Sequence, residues 1–463
     1  MENGLAARHG GRVGLAVLVA ILLLGLGLRL NEAWDGRAPV YDAAAYAAIA
    51  ANLEDGDGFT VGPQATQPSS SYSPGLPLFV AGLYAVAGGE HKRLARIVLA
   101  LIGTLSVLFA YLIGRRLTRL PTDPPLPCEV GRWGVAPALA GAFVVAIYPA
   151  LLEYQGMLMS EPLAATLLSA CVLAVLWAWN GGMWRWLLAG ALFGALALTR
   201  PEYLGVAVLV AIVVFARGAR DWRPSVGRGA VFLLAAFVVI APWTIRNAVA
   251  LDRLVPISTG GGQVLFAGTY LPSDGDPEKV GEEVVAENPD LFSPQDAQRL
   301  RLEQILARVA ADRYPGTETD QALSKLGKEQ LWDDVSEEPL EYGGFVATKV
   351  WRIWSHGPRD VMREPIWEVL HWLLVAFGLL GLGLLAWQRR WEALLLGTIF
   401  LAITAISALL VASPRRVLVL IPLLAALSAV AISWSRDRFQ HLGPHRGQTS
   451  GNDAGDADSL GAS

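Results

Sequence analysis

An aspartate and a tyrosine four residues apart begin an alanine-rich stretch, Tyr41–Phe59, that directly follows the first long apolar run. In a helix, residues four apart are neighbours on one face. An ionised carboxylate within hydrogen-bond reach of a hydroxyl can take its proton. Asp42 is therefore the first candidate for a general base, and Tyr46 is a candidate substrate-binding neighbour.

A second acid and several arginines recur at the ends of other apolar runs. They are Glu161, Arg200, Arg246, Arg415 and Arg416. Arginine is always charged and can make bidentate contacts to phosphate oxygens. A base together with these cations suits the displacement of a phosphate leaving group by a hydroxyl.

The two acids also have purely structural interpretations. Asp42 precedes an alanine-rich helix and could serve as its N-cap. Glu161 precedes Pro162, which is an ordinary way to open a helix, and its charge would then complement the helix dipole. From the residues alone, capping and catalysis both stay open for these positions.

The arginines have structural alternatives as well. Arg200 could extend its side chain toward the membrane surface from the end of a span, and Arg246 could complement a helix C-terminus. Arg415 and Arg416 begin a span on the outer side, against the tendency of basic residues to lie inside. A role in membrane topology therefore explains these two arginines less well.

The composition indicates the kind of protein that carries these residues. The chain has 463 residues, 53% of them hydrophobic and 16 of them tryptophan, and its mean hydropathy is +0.42. Apolar runs of about 18 or more residues, which indicate transmembrane helices, recur along most of the length. The net charge of −4 does not indicate a nucleic-acid partner, and Cys128 and Cys171 suggest neither a disulfide framework nor a thiolate metal site. The sequence predicts an all-α polytopic membrane protein.

We predict ten transmembrane spans with both termini in the cytoplasm. They are Val13–Leu30, Leu94–Gly114, Gly134–Leu151, Pro162–Trp179, Trp184–Thr199, Tyr203–Ala216, Gly229–Thr244, Ile366–Trp387, Trp391–Val411 and Arg416–Trp434. The apolar segment Pro74–Gly88 is shorter than a span needs, which favours an interfacial or re-entrant helix. This arrangement places most loop arginines on the cytoplasmic side, as the positive-inside rule requires.

Two large loops then face outward from a membrane domain that covers residues 1–434. The first, 31–93, contains Asp42 and is predicted to be catalytic, and the second, 247–365, is predicted to form a small outer cap. Residues 435–463 are rich in Gly, Asp and Ser and are predicted to be a disordered cytoplasmic tail. Charged residues lie at the outer ends of the spans and hardly at all in their middles. That pattern is typical of an enzyme acting on lipid head groups at one interface.

Several short motifs, taken in order, resemble the GT-C superfamily of integral-membrane glycosyltransferases. The likeness is to the bacterial family 39-like enzymes, which are related to protein O-mannosyltransferases and lipid A aminoarabinose transferases. The motifs are the Asp-x-x-x-Tyr of Asp42 and Tyr46, Ser73–Leu78, Tyr148-Pro149, Ser160-Glu161-Pro162, Thr199-Arg200-Pro201, Ala241–Asn247, and Arg415-Arg416 ahead of Leu420-Ile421-Pro422. Together they cover about residues 13–434.

The resemblance implies a GT-C-like bundle of about ten spans with interfacial helices in the first outer loop. It also implies inverting transfer of a sugar from a polyprenyl-phosphate donor to a hydroxyl of a lipid, a glycan or a protein. Asp42 would be the base, Glu161 would orient or help activate the acceptor, and Arg415 or Arg416 would bind the donor phosphate. The first-loop motif has one acid where protein O-mannosyltransferases have two, which argues against protein O-mannosylation. No cofactor and no metal ion are implied.

We therefore expect a multi-pass protein of the bacterial plasma (inner) membrane with its active site on the outer face. Its partners would be the lipid-linked sugar donor, the hydroxyl acceptor and membrane lipid, with no nucleic acid. The rival hypothesis is a transporter or flippase of a lipid-linked saccharide. Such a protein is expected to have internal repeats and polar residues near the membrane midplane, and the sequence shows neither.

Overall fold

The computed structural model describes residues 2–62, 67–119, 135–218, 222–276 and 278–441, and this part of the chain is helical without a strand. Its first half contains α1 (Glu2–Asp35), α2 (Asp42–Asp55), α3 (Gly75–Ala87), α4 (Lys92–Leu117), α5 (Val135–Ile147), α6 (Pro149–Gln155), α7 (Ser160–Ala178), α8 (Met183–Thr199), α9 (Tyr203–Arg217) and α10 (Trp222–Leu251). Its second half contains α11 (Gly261–Thr269), α12 (Val280–Glu287), α13 (Asp296–Arg299), α14 (Leu302–Arg313), α15 (Thr319–Glu337), α16 (Pro339–Ser355), α17 (Pro365–Trp387), α18 (Trp391–Leu409), α19 (Pro414–Leu418) and α20 (Ile421–His441). The prediction of an all-α protein is confirmed.

Each of the ten predicted spans coincides with apolar helix. Within the described ranges, six helices are long and apolar enough to cross a membrane, namely α1, α4, α7, α10, α17 and α18. A seventh span is the pair α5 and α6, which is bent by 46°. The remaining three predicted spans are the shorter apolar helices α8, α9 and the apolar part of α20. Helix α3 is also short, as expected for the segment that we did not count as a span.

The last predicted span differs from the structure at both ends. Arg415 and Arg416 belong to the separate short helix α19, and the chain bends before Ile421, where α20 begins. Helix α20 then continues past Trp434 to His441, into the predicted tail. The rest of that tail lies outside the described residues, as does Cys128.

Close crossings between helices depend on glycine, as two of the positions show. A Cβ atom on Gly190 of α8 would lie 2.0 Å from the carbonyl oxygen of Phe232 in α10. A Cβ atom on Gly381 of α17 would lie 2.0 Å from the carbonyl oxygen of Leu427 in α20. Small residues allow helix backbones to approach this closely within a membrane, where packing rather than hydrophobicity drives helix association.

The bend between α5 and α6 lies at Pro149, which has no backbone N–H and cannot continue the hydrogen-bond ladder. The carbonyl groups freed at the end of α5 are satisfied by Arg29 of α1, which is only 1% exposed. Its guanidinium donates to the carbonyl oxygens of Val145 at 3.1 Å and Ala146 at 3.3 Å. This buried arginine therefore stabilises the break, and α6 can turn its own side chains toward the site described below.

The first loop is fixed to the bundle through a hydrophobic cluster. Ala47 and Ala50 of α2 pack with Leu76 and Val80 of α3, and the same cluster includes Leu163 of α7. The turn after α2 is held by Asn52, which is buried and donates to acceptors in the segment that follows. The start of α2 is thereby held close to the start of α7.

The segment between α10 and α17 folds into a cap with its own hydrophobic core. Its buried residues come from α11, α12, α14 and α15, and they include Phe266, Val284, Leu306 and Leu323. The cap meets the bundle at Gly268, where an added Cβ would lie 2.3 Å from the backbone of Leu410. The cap therefore rests directly on the end of α18.

Candidate active site

Asp42 is the first residue of α2, and the N-cap position before it is taken by Tyr41. Tyr41 has φ +50° and ψ −125°, a strained conformation for a non-glycine residue. Such strain persists where the surroundings enforce it, and it concentrates at functional sites. Asp42 Oδ2 accepts a hydrogen bond of 3.0 Å from Arg415 Nη1. Asp42 is thus directed at a long-range partner, and it is not the N-cap of its helix.

Glu161 lies in the first turn of α7, and its side chain is completely buried. Glu161 Oε1 accepts a hydrogen bond of 2.7 Å from Arg415 Nε and lies 3.5 Å from Arg200 Nη1. In the part of the chain that the structure describes, its other oxygen, Oε2, has no hydrogen-bond partner. Because an isolated buried charge is very unfavourable, these two arginines are what allow an ionised carboxylate at this position.

Arg200 links Glu161 to a third acid. Its Nε donates to Glu202 Oε1 at 2.8 Å, and both side chains are largely buried. Arg200 follows the end of α8 and Glu202 precedes α9, so the short α8–α9 connection supplies both groups. We refer to Asp42, Glu161, Arg200, Glu202 and Arg415 as the ion cluster. It joins four segments that are distant in sequence.

Arg415 is the centre of the ion cluster because it contacts both Asp42 and Glu161. Burial alone would lower the pKa of Arg415, but these two carboxylates raise it above its usual value. Its guanidinium carbon also lies 5.8 Å from the centroid of the Tyr154 ring in α6, within the range of a cation–π contact. Arg415 is therefore a permanent cation that fixes the orientation of the two acids.

Tyr46 lies beside the ion cluster, one turn after Asp42. Burial, followed by the negative charges of Glu161 and Asp42, raises the pKa of Tyr46, so its hydroxyl stays protonated. Its ring meets the ring of Tyr72 edge-on, with the centroids 5.5 Å apart. Burial and then Asp42 raise the pKa of Tyr72 to about 12. Two neutral tyrosine hydroxyl groups therefore accompany the Asp42 carboxylate.

Arg416 is adjacent to the ion cluster but forms no ion pair within the described ranges. Its Nη1 donates to the carbonyl oxygen of Val411 at 2.5 Å. Lys349 of α16 is an electrostatic neighbour of Arg416, is 1% exposed and donates to the carbonyl oxygen of Gly268. Burial and then Arg416 lower the pKa of Lys349 to about 7. We refer to Lys349 and Arg416 as the cation pair.

Arg246 has its contacts elsewhere than in the ion cluster. Its Nη1 donates to the carbonyl oxygen of Ser69 at 2.8 Å, and its Nη2 donates to that of Phe59 at 3.2 Å. The guanidinium carbon lies 5.0 Å from the centroid of the Trp243 ring. In this structure Arg246 therefore holds the first loop against α10, through backbone oxygens of that loop.

Of the residues selected from sequence, the structure brings together Asp42, Tyr46, Glu161, Arg200 and Arg415. Arg416 lies next to this group, and Arg246 lies apart from it. It also adds residues that the sequence reasoning did not select. Glu202 could have been found, because it is an acid two residues after Arg200 at the same predicted membrane surface. Tyr154 and Lys349 carry no comparable signal, since their importance depends on contacts made between distant segments.

A comparison with curated proteins gives a partial match. The chain is 27% identical over 176 residues to the undecaprenyl phosphate-alpha-4-amino-4-deoxy-L-arabinose arabinosyl transferase of Pseudomonas aeruginosa (strain UCBPP-PA14). The match covers 36% of this chain and 30% of that protein. No protein-family model matches the chain.

Solved structures give a match along nearly the whole chain. The oligosaccharyltransferase AglB of Archaeoglobus fulgidus, in complex with an inhibitory peptide and a dolichol-phosphate, has a TM-score of 0.54 at 16% identity, covering 93% of this chain and 51% of that one. The apo form of the A. fulgidus enzyme also has a TM-score of 0.54, at 17% identity and the same coverage. The chain therefore spans about half the length of these enzymes. At the level of the fold, the GT-C resemblance is confirmed.

Proposed function

We propose that the chain is a glycosyltransferase that moves a sugar from a polyprenyl-phosphate donor to a hydroxyl group of an acceptor, at the outer face of a bacterial plasma membrane. The observation that carries this proposal is Arg415, which joins Asp42 and Glu161 across separations of 373 and 254 residues. The partial match to an undecaprenyl phosphate arabinosyl transferase supports a lipid-linked sugar as the donor.

The proposed reaction is a single displacement at the anomeric carbon of the donor sugar. Asp42 takes the proton of the acceptor hydroxyl as that oxygen forms a bond to the anomeric carbon. The bond from the anomeric carbon to the phosphate oxygen breaks, and its electron pair leaves with the polyprenyl phosphate. Attack opposite the leaving group inverts the configuration. Among the described residues Asp42 has its hydrogen bond through Oδ2, so Oδ1 is the oxygen that we assign to the acceptor proton.

Glu161 acts as a positioning residue in this scheme. Because its side chain is completely buried, its influence on the acceptor passes through Arg415, which it holds at 2.7 Å. Arg200 supports Glu161 from the other side. Tyr46 and Tyr72, as neutral hydroxyl groups beside Asp42, supply hydrogen-bond donors and acceptors for the entering substrate.

The cation pair is the part of the site that suits the donor phosphate. Arg200 and Arg415 are already engaged by carboxylates, and Arg246 is engaged by backbone oxygens of the first loop. Arg416 has a carbonyl oxygen as its partner, and so does Lys349. Of the two arginines in α19, we therefore assign phosphate binding to Arg416, since a guanidinium can contact two phosphate oxygens at once.

The test compares two substitutions in the same helix. Asp42→Asn keeps the size of the side chain but removes the base, and Asp55→Asn changes an exposed acid at the opposite end of α2. Each full-length variant in nanodiscs is incubated with a panel of radiolabelled undecaprenyl-phosphate sugars and a bacterial lipid and glycan extract. We expect Asp42→Asn to lower the transfer rate by about 10²–10⁴-fold, with the melting temperature close to that of the wild type.

Asp55→Asn should transfer sugar at the wild-type rate. A fully active Asp42→Asn variant would overturn the assignment of the base. Movement of the labelled lipid between leaflets without formation of a glycosylated product would support the transporter instead, and the glycosyltransferase would then be wrong.

A further inference from the structure

The cap contains a cavity that shares no lining residue with the ion cluster. It is an open cleft of about 370 Å³ between the end of α11, helices α12 and α14, and helix α15. This volume falls within the usual range of small-molecule sites, about 300–1,000 Å³. The cleft is therefore large enough to hold a ligand of one or two sugar rings.

One side of the cleft is apolar and aromatic. The rings of Phe266 and Tyr270 stack with their centroids 5.6 Å apart and their planes 20° from parallel. Val284 and Val309 continue this surface, and all four residues are buried in the core of the cap. Because the core fixes these side chains, the apolar surface is rigid and already formed without a ligand.

The opposite side of the cleft is lined by paired polar groups. The hydroxyl of Tyr270 donates to Glu287, and the hydroxyl of Tyr314 donates to Glu329. Burial and the bond to Glu287 raise the pKa of Tyr270, and the bond to Glu329 raises that of Tyr314. Both tyrosines therefore remain neutral hydroxyl groups that can accept hydrogen bonds, beside carboxylates that can also accept them.

Two amide side chains complete the polar side, and the cap holds each of them in place. Asn288 Nδ2 donates to the carbonyl oxygen of Val284 at 2.8 Å. Gln330 Oε1 accepts a hydrogen bond of 3.2 Å from the Thr269 hydroxyl. Gln330 therefore presents its amide N–H donors with a defined orientation. Arg313 is the single cation in the lining of this cleft, which also includes the carboxylates of Glu287 and Glu329.

We propose that the cap cleft binds a saccharide, with its hydroxyl groups on the tyrosine, glutamate and amide side chains of the lining. Sugar hydroxyl groups donate and accept hydrogen bonds, and this lining offers both functions at closely spaced positions. Two glutamates against one arginine disfavour phosphates and uronic acids, so the ligand is a neutral sugar or an amino sugar.

If the proposed glycosyl transfer is correct, this saccharide belongs to the acceptor, which would make the acceptor a glycan or a glycolipid. That last step rests on the proposed function, whereas saccharide binding by the cleft does not. The two ideas can therefore be tested separately in the same protein.

The binding test uses the full-length protein in detergent, without any sugar donor. Maltose, cellobiose and chitobiose are titrated by saturation-transfer NMR, with glucuronic acid and inorganic phosphate as probes of the opposite charge preference. We expect at least one of the three disaccharides to bind with a millimolar dissociation constant, and the two anions to bind more weakly. Glu329→Gln should weaken the binding by about tenfold, and Leu326→Trp, which fills the cleft, should abolish it.

Glu337→Gln, an exposed change on the same helix α15, should leave binding unchanged. Asp42→Asn should also leave saccharide binding unchanged while it lowers sugar transfer. In the wild-type protein, saccharide binding without sugar transfer would contradict the proposed function and not the cleft. The cleft proposal is wrong if none of the three disaccharides binds, if the anions bind more tightly, or if Leu326→Trp and Glu329→Gln both bind like the wild type.

Discussion

The ion cluster and the cation pair lie side by side, yet they satisfy their charges in opposite ways. In the ion cluster both arginines contact two carboxylates each. In the cation pair the hydrogen-bond partners of both positive groups are backbone carbonyl oxygens, and Glu202 is only a longer-range electrostatic neighbour of Arg416. The first arrangement is complete before any substrate arrives and suits a group that must be held in place. The second leaves positive charge that an anion can neutralise.

Among the variants that distinguish the two regions, Glu161→Gln is expected to cause the largest loss of stability and of transfer rate. This change leaves Arg200 buried, and Arg415 half-buried, with less compensating charge, and removing one partner of a buried ion pair costs about 3–5 kcal/mol. Arg415 would also hold Asp42 less firmly, and a small displacement of a catalytic group can lower the rate by about 10²-fold. Unfolding in detergent and the transfer assay measure the two losses.

Glu202→Gln is the matched control within the ion cluster. Glu202 pairs with Arg200 and is an electrostatic neighbour of Arg416 but does not pair with Arg415, so its loss should lower stability and leave most of the transfer rate at saturating donor intact. Equal loss of transfer in the two variants would mean that Arg415 does not transmit the effect of Glu161.

An intermediate effect on sugar transfer is expected from Arg416→Gln. If Arg416 binds the donor phosphate, the change removes a charge-assisted hydrogen bond of about 1.5–3 kcal/mol. The KM for the lipid-linked donor should then rise about 10- to 100-fold, while the folded protein loses less stability than Glu161→Gln does, because Arg416 forms no ion pair within the described ranges and only its longer-range attraction to Glu202 is lost. Initial rates over a range of donor concentrations give this value.

Arg363→Gln removes an exposed arginine in the loop before α17 and should leave the KM unchanged. If Arg416→Gln instead lowers stability as much as Glu161→Gln does, then Arg416 belongs with the ion cluster and the contrast between the two regions fails.

The smallest effect on transfer, and a distinctive effect of pH on stability, are expected from Lys349→Met. The pKa of Lys349 is about 7 in the folded protein, against 10.5 for an unperturbed lysine, the value expected in the unfolded chain. Between these values the unfolded chain binds more protons, so wild-type stability should rise with pH across this window. Below about pH 7 the folded protein contains a buried charge, and the methionine variant should be more stable by on the order of a few kcal/mol.

Unfolding measured between pH 5.5 and 9.5 tests this sign. The advantage of Lys349→Met should shrink as the pH rises, and added undecaprenyl phosphate should stabilise the wild type at low pH more than the variant. A constant difference between the two proteins at every pH would show that Lys349 does not titrate in this window.

The predicted spans succeeded because hydrophobicity is a local property of the chain. Each predicted apolar run became helix, in two cases divided between two helices, and the short segment at Pro74–Gly88 became the short helix α3. The positions where the predicted spans are interrupted were less visible in the sequence. The bend at Pro149 also needs Arg29 from α1. Helix α20 begins only at Ile421, so Arg415 and Arg416 lie in the separate helix α19. These features depend on which segments pack together.

The sequence did not distinguish the different roles that the arginines have in the structure. Arg200 and Arg246 both stand at the end of an apolar run and looked alike in sequence. In the structure one joins two acids of the ion cluster, and the other holds the backbone of the first loop. Lys349 showed no signal at all, because a lysine in a polar cap is ordinarily exposed.

The sequence by itself determined the helical membrane architecture and the presence of acids and arginines at the ends of its apolar runs. Only the tertiary structure decided which charges neutralise one another. Arg415 meets Asp42 because α19, α2 and α7 converge, and Arg416, the next residue, points to different partners. Electrostatic pairing acts over a few ångströms, whereas the chain separates these partners by hundreds of residues, so the pairing is set by packing and cannot be read from order along the chain.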